Sequence, residues 1–374
     1  METNEILNNL KETGYITIGD PNENIKKLAE LGESTPLEPG DAENSLVQAG
    51  SNAVAFGVNS TAFGTSSTNA KDRGITTEST YESIIEEWTG SDPEDDKFAL
   101  TRGEASHVEG NNCLALGENS HAEGNGTIAG NNSSHSEGTG AQATGKYAHA
   151  EGLETQATNN AAHAEGRNTI ANKYAAHAEG ANTLAGDGDR PTAESNTETG
   201  RYSHAEGNGA WAKGNSSHAE GKHTQSLGEY SHAEGYGNTS IAKGSHAEGY
   251  NNATRSDYAH AEGSNNDCVG VAAHVEGEEN ITNNRAEHAE GKYNKSNKAS
   301  SSFGDGGNTI HSVGIGSSNS NRKNAFEITQ NGLVFIIGVN GYDGTNIDTS
   351  SAGNSLQAGI MNDNLTVNGS LFGW

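Results

Sequence analysis

The sequence predicts an all-β repeat protein, a parallel β-roll (solenoid) of 14-residue coils, and three observations carry that prediction. The first is a period. Histidines fall at 107, 121, 135, 149, 163 and 177 and again at 204, 218, 232, 246, 260, 274 and 288, so every step is 14 residues except one of 27. A period this short means a stack of small units rather than one folded core. The second is a subdivision. With the histidine as position 1 the unit reads H-A-E-G-x-x-T-x-A-x-G-x-x-S, two heptads, each offering about five residues for a strand and two for a turn, too few for a helix. The third is the placement of small residues. Side chains alternate across a strand, so in Ser120-His121-Ala122-Glu123 the serine and alanine share one face and the histidine and glutamate the other. Small residues at both inward columns predict two walls closer than the usual ~10 Å between sheets, with coils ~4.8 Å apart and no internal ligand cavity.

The elements follow in order. Residues 1–45 form an N-terminal attachment segment with a short helix in "GDPNENIKKLAELGE", where Asp20 caps, Pro21 suits the first turn and Gly32 ends it. Residues 46–101 hold the first coils and a helical insertion (65–99), expected as a collar outside the roll, with Ser79 and Glu82 as a capping box and Ile84, Ile85 and Trp88 as its apolar side. Residues 102–316 are the HAEG roll, with a solvent loop at 187–200 that accounts for the step of 27. Beyond 316 the period is lost. Asn331-Gly332 between apolar runs signals a hairpin, so 317–374 are expected to form a C-terminal β cap or tip. Phe326, Phe335, Tyr342, Phe372 and Trp374 are its candidates for surface recognition, or else its core.

The outward columns of the second strand vary from coil to coil, as Gln142 and Thr144, Trp211 and Lys213, and Asp267 and Val269 show. The first strand's do not. They read His107 and Glu109, His121 and Glu123, His135 and Glu137, His149 and Glu151, His163 and Glu165, His177 and Glu179, His204 and Glu206, His218 and Glu220, His232 and Glu234, His246 and Glu248, His260 and Glu262, His274 and Glu276, and His288 and Glu290. Solvent imposes no such uniformity, whereas copies of one strand around a shared axis do. A thin interior also buries little apolar area per residue, which points to an obligate homo-oligomer. Near the ends "VAFG" (54–57) and "VGIG" (313–316) fit the template with Val54 and Phe56, and Val313 and Ile315, in the places of His and Glu, so the column is expected to be buried.

H-x-E-G lacks the i, i+4 histidines of a helical zinc protease, and a site repeated 13 times is not a catalytic centre, so no enzyme, metal or cofactor is expected. Of axial ion binding and an inter-chain hydrogen-bond ladder, the ladder is favoured because buried charges must be paired. Ionised pairs would raise the histidine pKa and lower that of glutamate; neutral donors would instead make acid destabilising. Cys113 and Cys268 fill inward columns too far apart for a disulfide. The tyrosines at position 13 (147, 202, 230 and 258) are expected to pack on neighbouring coils rather than to bind sugars. The threonines at 127, 155, 169, 183 and 224 have the look of an ice-binding column, a reading given little weight because the other coils place Ala, Asn or Cys there.

Only 31% of residues are hydrophobic, and the formal net charge is −28, which disfavours nucleic-acid binding through phosphates. No apolar run is long enough for export or membrane insertion.

The heptads "NAVAFGVNSTAFG" (52–64) and "NNCLALGENSHAEG" (111–124) resemble the head repeats of trimeric autotransporter adhesins, and the serine-flanked HAEG form resembles repeats of bacteriophage fibre proteins. The resemblance covers roughly residues 46–316. It implies a homotrimer of left-handed parallel β-rolls, with His and Glu in the axial places that aliphatic residues take in the adhesin heads. No signal peptide, coiled-coil stalk or membrane anchor is visible, so the phage reading is preferred to a bacterial cell-surface adhesin. It implies a virion-surface head or tail fibre, attached to a capsid or tail protein through its N-terminus and touching bacterial surface polysaccharide or another receptor.

Overall fold

A computed structural model describes residues 37–43, 45–48, 53–65, 70–90, 98–187 and 199–336. The chain is a parallel β-solenoid of about 15 coils and divides into two compact units between Ala181 and Asn182. In the first unit one wall runs from Leu46–Gln48 and Thr61–Thr65 through His107–Asn111 to His177–Ala181, in parallel register with His135 beside His149 and Glu137 beside Glu151. The other wall consists of two-residue strands from Val54–Ala55 to Ile170–Ala171. The second unit repeats the plan from His204–Asn208 to Thr309–Ile315 and from Leu184–Ala185 to Ile281–Thr282. The expected loop at 187–200 lies almost wholly outside the described residues, as does the expected helix within 1–45.

Alternation decides what is inside. Ser120 and Ala122 are buried while His121 and Glu123 are half-exposed, and the pattern recurs in coil after coil. Several serines at position 14 satisfy their hydroxyls on the carbonyl three residues back. Ser120 Oγ donates to the carbonyl of Gly117 at 2.6 Å and Ser231 Oγ to that of Gly228 at 2.6 Å, within their own turns. Glycine at position 4 is required twice over. Gly152 has φ +115°, and a Cβ there would stand 2.0 Å from the Gly166 carbonyl oxygen of the next coil.

The helical insertion packs where expected. Ile84 and Trp88 of the α-helix Tyr81–Gly90 are buried against Val54, Phe56, Leu100, Leu114, Leu116 and Ile128, the outward side of the second wall. This explains why that column is apolar in these coils and reads Gln142 and Gln156 in the next two. The cap differs from expectation. Thr80, not Ser79, accepts the Ser83 amide at 3.2 Å, and the Ser79 hydroxyl accepts the Thr76 amide instead.

The frame expected at both ends is corrected by the register. Thr61 and Phe63, not Val54 and Phe56, stand beside His107 and Glu109; Val54 belongs to the opposite wall. At the other end His311 and Val313 stand beside His288 and Glu290, so Ile315 pairs with Lys292 and lies outside the pair column. The hairpin is as expected. Asn324–Thr329 runs antiparallel to both Thr309–Ile315 and Val334–Ile336, with Gly332 at φ +87° in the turn. Phe326 and Phe335 are half-buried in it; Tyr342, Phe372 and Trp374 lie outside the described residues.

Position 7 changes chemistry along the chain. Thr127, Thr155, Thr169 and Thr183 in the first coils and Thr224 in a later one are fully inward, which removes the ice-binding reading, and their hydroxyls lack hydrogen-bond partners among the described residues. In later coils Asn238, Asn252, Asn266, Asn280 and Asn294 take over as a buried ladder. Asn252 Nδ2 donates to the carbonyls of Glu248 and Gly263 (2.8 Å to Gly263), its amide donates to Asn238 Oδ1 at 2.7 Å, and its Oδ1 accepts the Asn266 amide at 2.8 Å. Cys113 makes a weaker version, its thiol 3.3 Å from the carbonyls of Asn111 and Gly124. Cys268 is likewise buried and free, its thiol pushed up to about 11 by burial.

The two side chains have nearly the same volume, so the exchange is testable. Asn252→Ala strips partners from several buried backbone groups and is expected to destabilise by on the order of 3 kcal/mol, whereas Thr169→Asn supplies donors now missing and is expected to stabilise by about 1 kcal/mol. Urea unfolding midpoints of the two variants check both signs.

Candidate functional site: the histidine and glutamate face

The repeated pair lies on the outside of the first wall. Parallel register places the imidazoles in columns, edge to face from His107 to His135 and stacked from there to His177 and from His204 to His311. His149 and His163 are parallel within 4° at 4.7 Å between centroids, and His204 on His218 and His232 on His246 repeat the arrangement at 4.7 Å. The stack ends on aromatic edges, Phe63 against His107 at 5.5 Å in one unit and Phe326 against His311 at 5.6 Å in the other. His311 extends the column beyond the 13 histidines read from the period. Its signal was present in "HSVG" (311–314), which matches "HSEG" (135–138), but the step from His288 is 23 residues.

Within a coil the glutamate reaches the ring beside it. His107, His121, His135, His149 and His163 hold Nε2 at 3.5–3.8 Å from the carboxylates of Glu109, Glu123, Glu137, Glu151 and Glu165. In the second unit the partner shifts by a coil. His232 pairs with Glu234 at 3.6 Å, but His260 pairs with Glu248 at 3.8 Å, His274 with Glu262 at 3.7 Å and His288 with Glu276 at 3.4 Å. All are longer than a well-formed hydrogen bond. The Nε2 atoms of His121, His163, His232 and His288 are covered by neighbouring rings yet have no hydrogen-bond partner among the described residues.

Burial is the main force on these rings. It lowers the pKa of His121, His149, His218, His232, His246 and His260, and in all but His246 the imidazoles stacked above or below push the same way. Glutamates oppose this without reversing it. In these six rings the direction is that of neutral donors or acceptors, opposite to the rise that ionised pairs would give. Stacked carboxylates face the same crowding. Glu248 and Glu262 share a hydrogen bond that holds Glu248 up and Glu262 down.

Several His-Glu-His sets, such as His232, Glu234 and His246, bring three ligand atoms within 4.8 Å of one another. A single ion fits them poorly. Two Nε2 ligands at ~2.1 Å from a metal are at most ~4.2 Å apart even when trans, less than the 4.7 Å spacing of the stacked rings. The tyrosines at position 13 are largely exposed, Tyr147 by 67% and Tyr258 by 61%, while the Tyr258 ring lies against Gly244 of the neighbouring coil and Lys243 Nζ sits 5.3 Å from the Tyr230 ring.

One further titratable group was missed. Glu287 occupies position 14, an inward column of serine and alanine, and is 1% exposed. Its Oε2 accepts from the amides of Asn283 and Asn284, from Asn284 Nδ2 and from Ser296 Oγ at 2.8–2.9 Å, while Oε1 has no partner. Burial pushes its pKa up to about 7 despite these donors.

These groups give opposite pH slopes. For His121, His149, His218, His232, His246 and His260, the unfolded state binds more protons than the folded one just below about 6.5, so their contribution falls as pH drops through that value. For Glu287 the folded state binds the extra proton between about 4.5 and 7, so its contribution falls as pH rises through that window, by about 3 kcal/mol in all. Glu287→Gln keeps the acceptor and supplies N–H at the orphan position. It is expected to remove the loss at rising pH and leave the acid-side fall intact, in thermal midpoints measured from pH 4 to 8.

No family model matches this chain, and no curated protein is similar to it.

Proposed function

We propose that this protein is a structural fibre subunit, a homotrimer in which the histidine and glutamate faces of three chains meet around a common axis, and that it projects from a phage particle to adhere to bacterial surfaces. The observation that carries the proposal is the uniform face itself. Thirteen coils present the same histidine and glutamate pair in register, and the Nε2 atoms of His121, His163, His232 and His288 are covered yet lack hydrogen-bond partners among the described residues, while the outward column of the second wall changes from coil to coil. A second copy of the same face supplies partners in the same register at every level; solvent requires no such repetition. The aromatic residues at both column ends, Phe63 and Phe326, fit a face excluded from water. The reading extends to a passive, non-enzymatic role, with residues 1–45 attaching the subunit to a capsid or tail protein. Among the described residues no helix is long and apolar enough to cross a membrane.

Sedimentation equilibrium of the full chain is expected to give a trimer mass, and a stable monomer refutes the proposal. The pair supplies a sharper check. His163→Val with Glu165→Ile makes the axial layer aliphatic and is expected to be neutral or stabilising, whereas His163→Val alone strands a carboxylate in the interface and is expected to destabilise by on the order of 3 kcal/mol. Equal, negligible effects of both on the thermal midpoint mean that the face is in solvent.

A further inference from the structure

The second unit departs from its period in one described segment. His311 follows His288 by 23 residues, nine more than a coil, and the excess forms a loop that includes residues 298–308. The loop is held from within. Asn308 Oδ1 accepts the amides of Ala299 and Ser300 at 2.8 and 3.1 Å, and its Nδ2 donates to the carbonyls of Ser300 and Ser302 and to Gln330 Oε1 at 3.0–3.2 Å. Gln330 Oε1 also accepts the Gly304 amide at 3.0 Å, and Asp305 accepts that of Gly307 at 2.8 Å. A loop so fixed still displays Phe303 with 62% of its surface exposed.

Beside it lies a cavity of about 290 Å³, walled by Phe303, Ser301, Ser302, Arg285, Lys298 and Val271 among others. No aspartate or glutamate is among its lining residues, in a chain of net charge −28. The Arg285 guanidinium is exposed and makes no hydrogen bond or ion pair among the described residues, although the Arg285 carbonyl accepts Gln330 Nε2 at 3.1 Å. Lys298 Nζ donates one bond, to the Asn283 carbonyl at 3.0 Å, which leaves its remaining N–H groups for a ligand. One unpaired guanidinium, one ammonium with spare N–H groups, serine hydroxyls and a flat apolar ring converge on one concavity whose backbone is already ordered, so binding there loses little conformational entropy.

We propose that this cavity binds an anionic saccharide unit, with its carboxylate or phosphate against Arg285 and Lys298 and an apolar sugar face on Phe303. The inference rests on the adhesion reading above and names the chemistry of the surface it would recognise.

The test uses the full chain and three probes in isothermal titration: a hexuronate oligosaccharide, an oligomeric glycerol phosphate, and a neutral malto-oligosaccharide. At least one anionic probe is expected to bind about tenfold more tightly than the neutral one, weakening with added salt. Which of the two binds distinguishes carboxylate from phosphate. Arg285→Gln with Lys298→Gln is expected to abolish that preference. Phe303→Ala is expected to weaken the hexuronate by about threefold or more and to leave the ringless glycerol phosphate unchanged. All three side chains are exposed, so the thermal midpoint should be retained. If neither anionic probe binds, or if the double variant binds as tightly as the parent, the inference is overturned. Sedimentation keeps the two readings apart, because a trimer that binds no anionic probe overturns the site alone.

Discussion

The in-register parallel ladder is the constraint from which the rest of this molecule follows. Each coil offers its backbone N–H groups to the next, as His149 does to the Ala162 carbonyl and Gln142 to that of Thr155, both at 2.9 Å. Because the repeat is constant, every side chain lies directly over its counterpart. The chain must then choose residues that tolerate their own likeness about 4.8 Å away. Alanine and serine do so inside by being small, asparagine by bonding to itself, and imidazole by stacking. Glutamate is the exception. A column of carboxylates repels itself, and the chain answers by setting histidines alongside and by the hydrogen bond between Glu248 and Glu262.

The two halves of the roll meet this constraint differently. In the first unit the inward position 7 is mostly threonine with idle hydroxyls, and each glutamate serves the histidine of its own coil. Later, asparagine fills position 7, binds the carbonyl of the glutamate residue beside it and of the glycine one coil on, and the glutamates turn to the next histidine. The inner change begins at Asn238, one coil before the first shifted pair, His260 with Glu248.

The fold was legible because period and alternation are one-dimensional signals. Coil length, the inward and outward columns, the outer helix and the Asn331-Gly332 hairpin could all be read by counting. The frame at the ends was not, since Val54-Ala55-Phe56-Gly57 and Thr61-Ala62-Phe63-Gly64 are both x-A-F-G strings one heptad apart, and local sequence does not say which wall each joins. His311 was hidden by an insertion. The pKa direction of the histidines was also out of reach, because it depends on how far stacked rings exclude water from each other. Glu287 broke an inward pattern in plain view, but its environment is built by Asn283, Asn284 and Ser296, which carry no periodic signature.

The antiparallel strand Asn324–Thr329 bears on a hazard intrinsic to any stacked roll. A parallel solenoid ends in unpaired backbone that is a template for another coil, whether of the same chain or of a neighbour, and such edges seed open-ended polymers. Here the last parallel strand, Thr309–Ile315, is paired by a strand of opposite direction with irregular register at both ends, and Glu327 on it is tied to Asn297, Thr309 and Asn324. A further 14-residue coil finds no matching edge there. Parallel addition of another copy at this edge of the first wall is thereby disfavoured at any protein concentration.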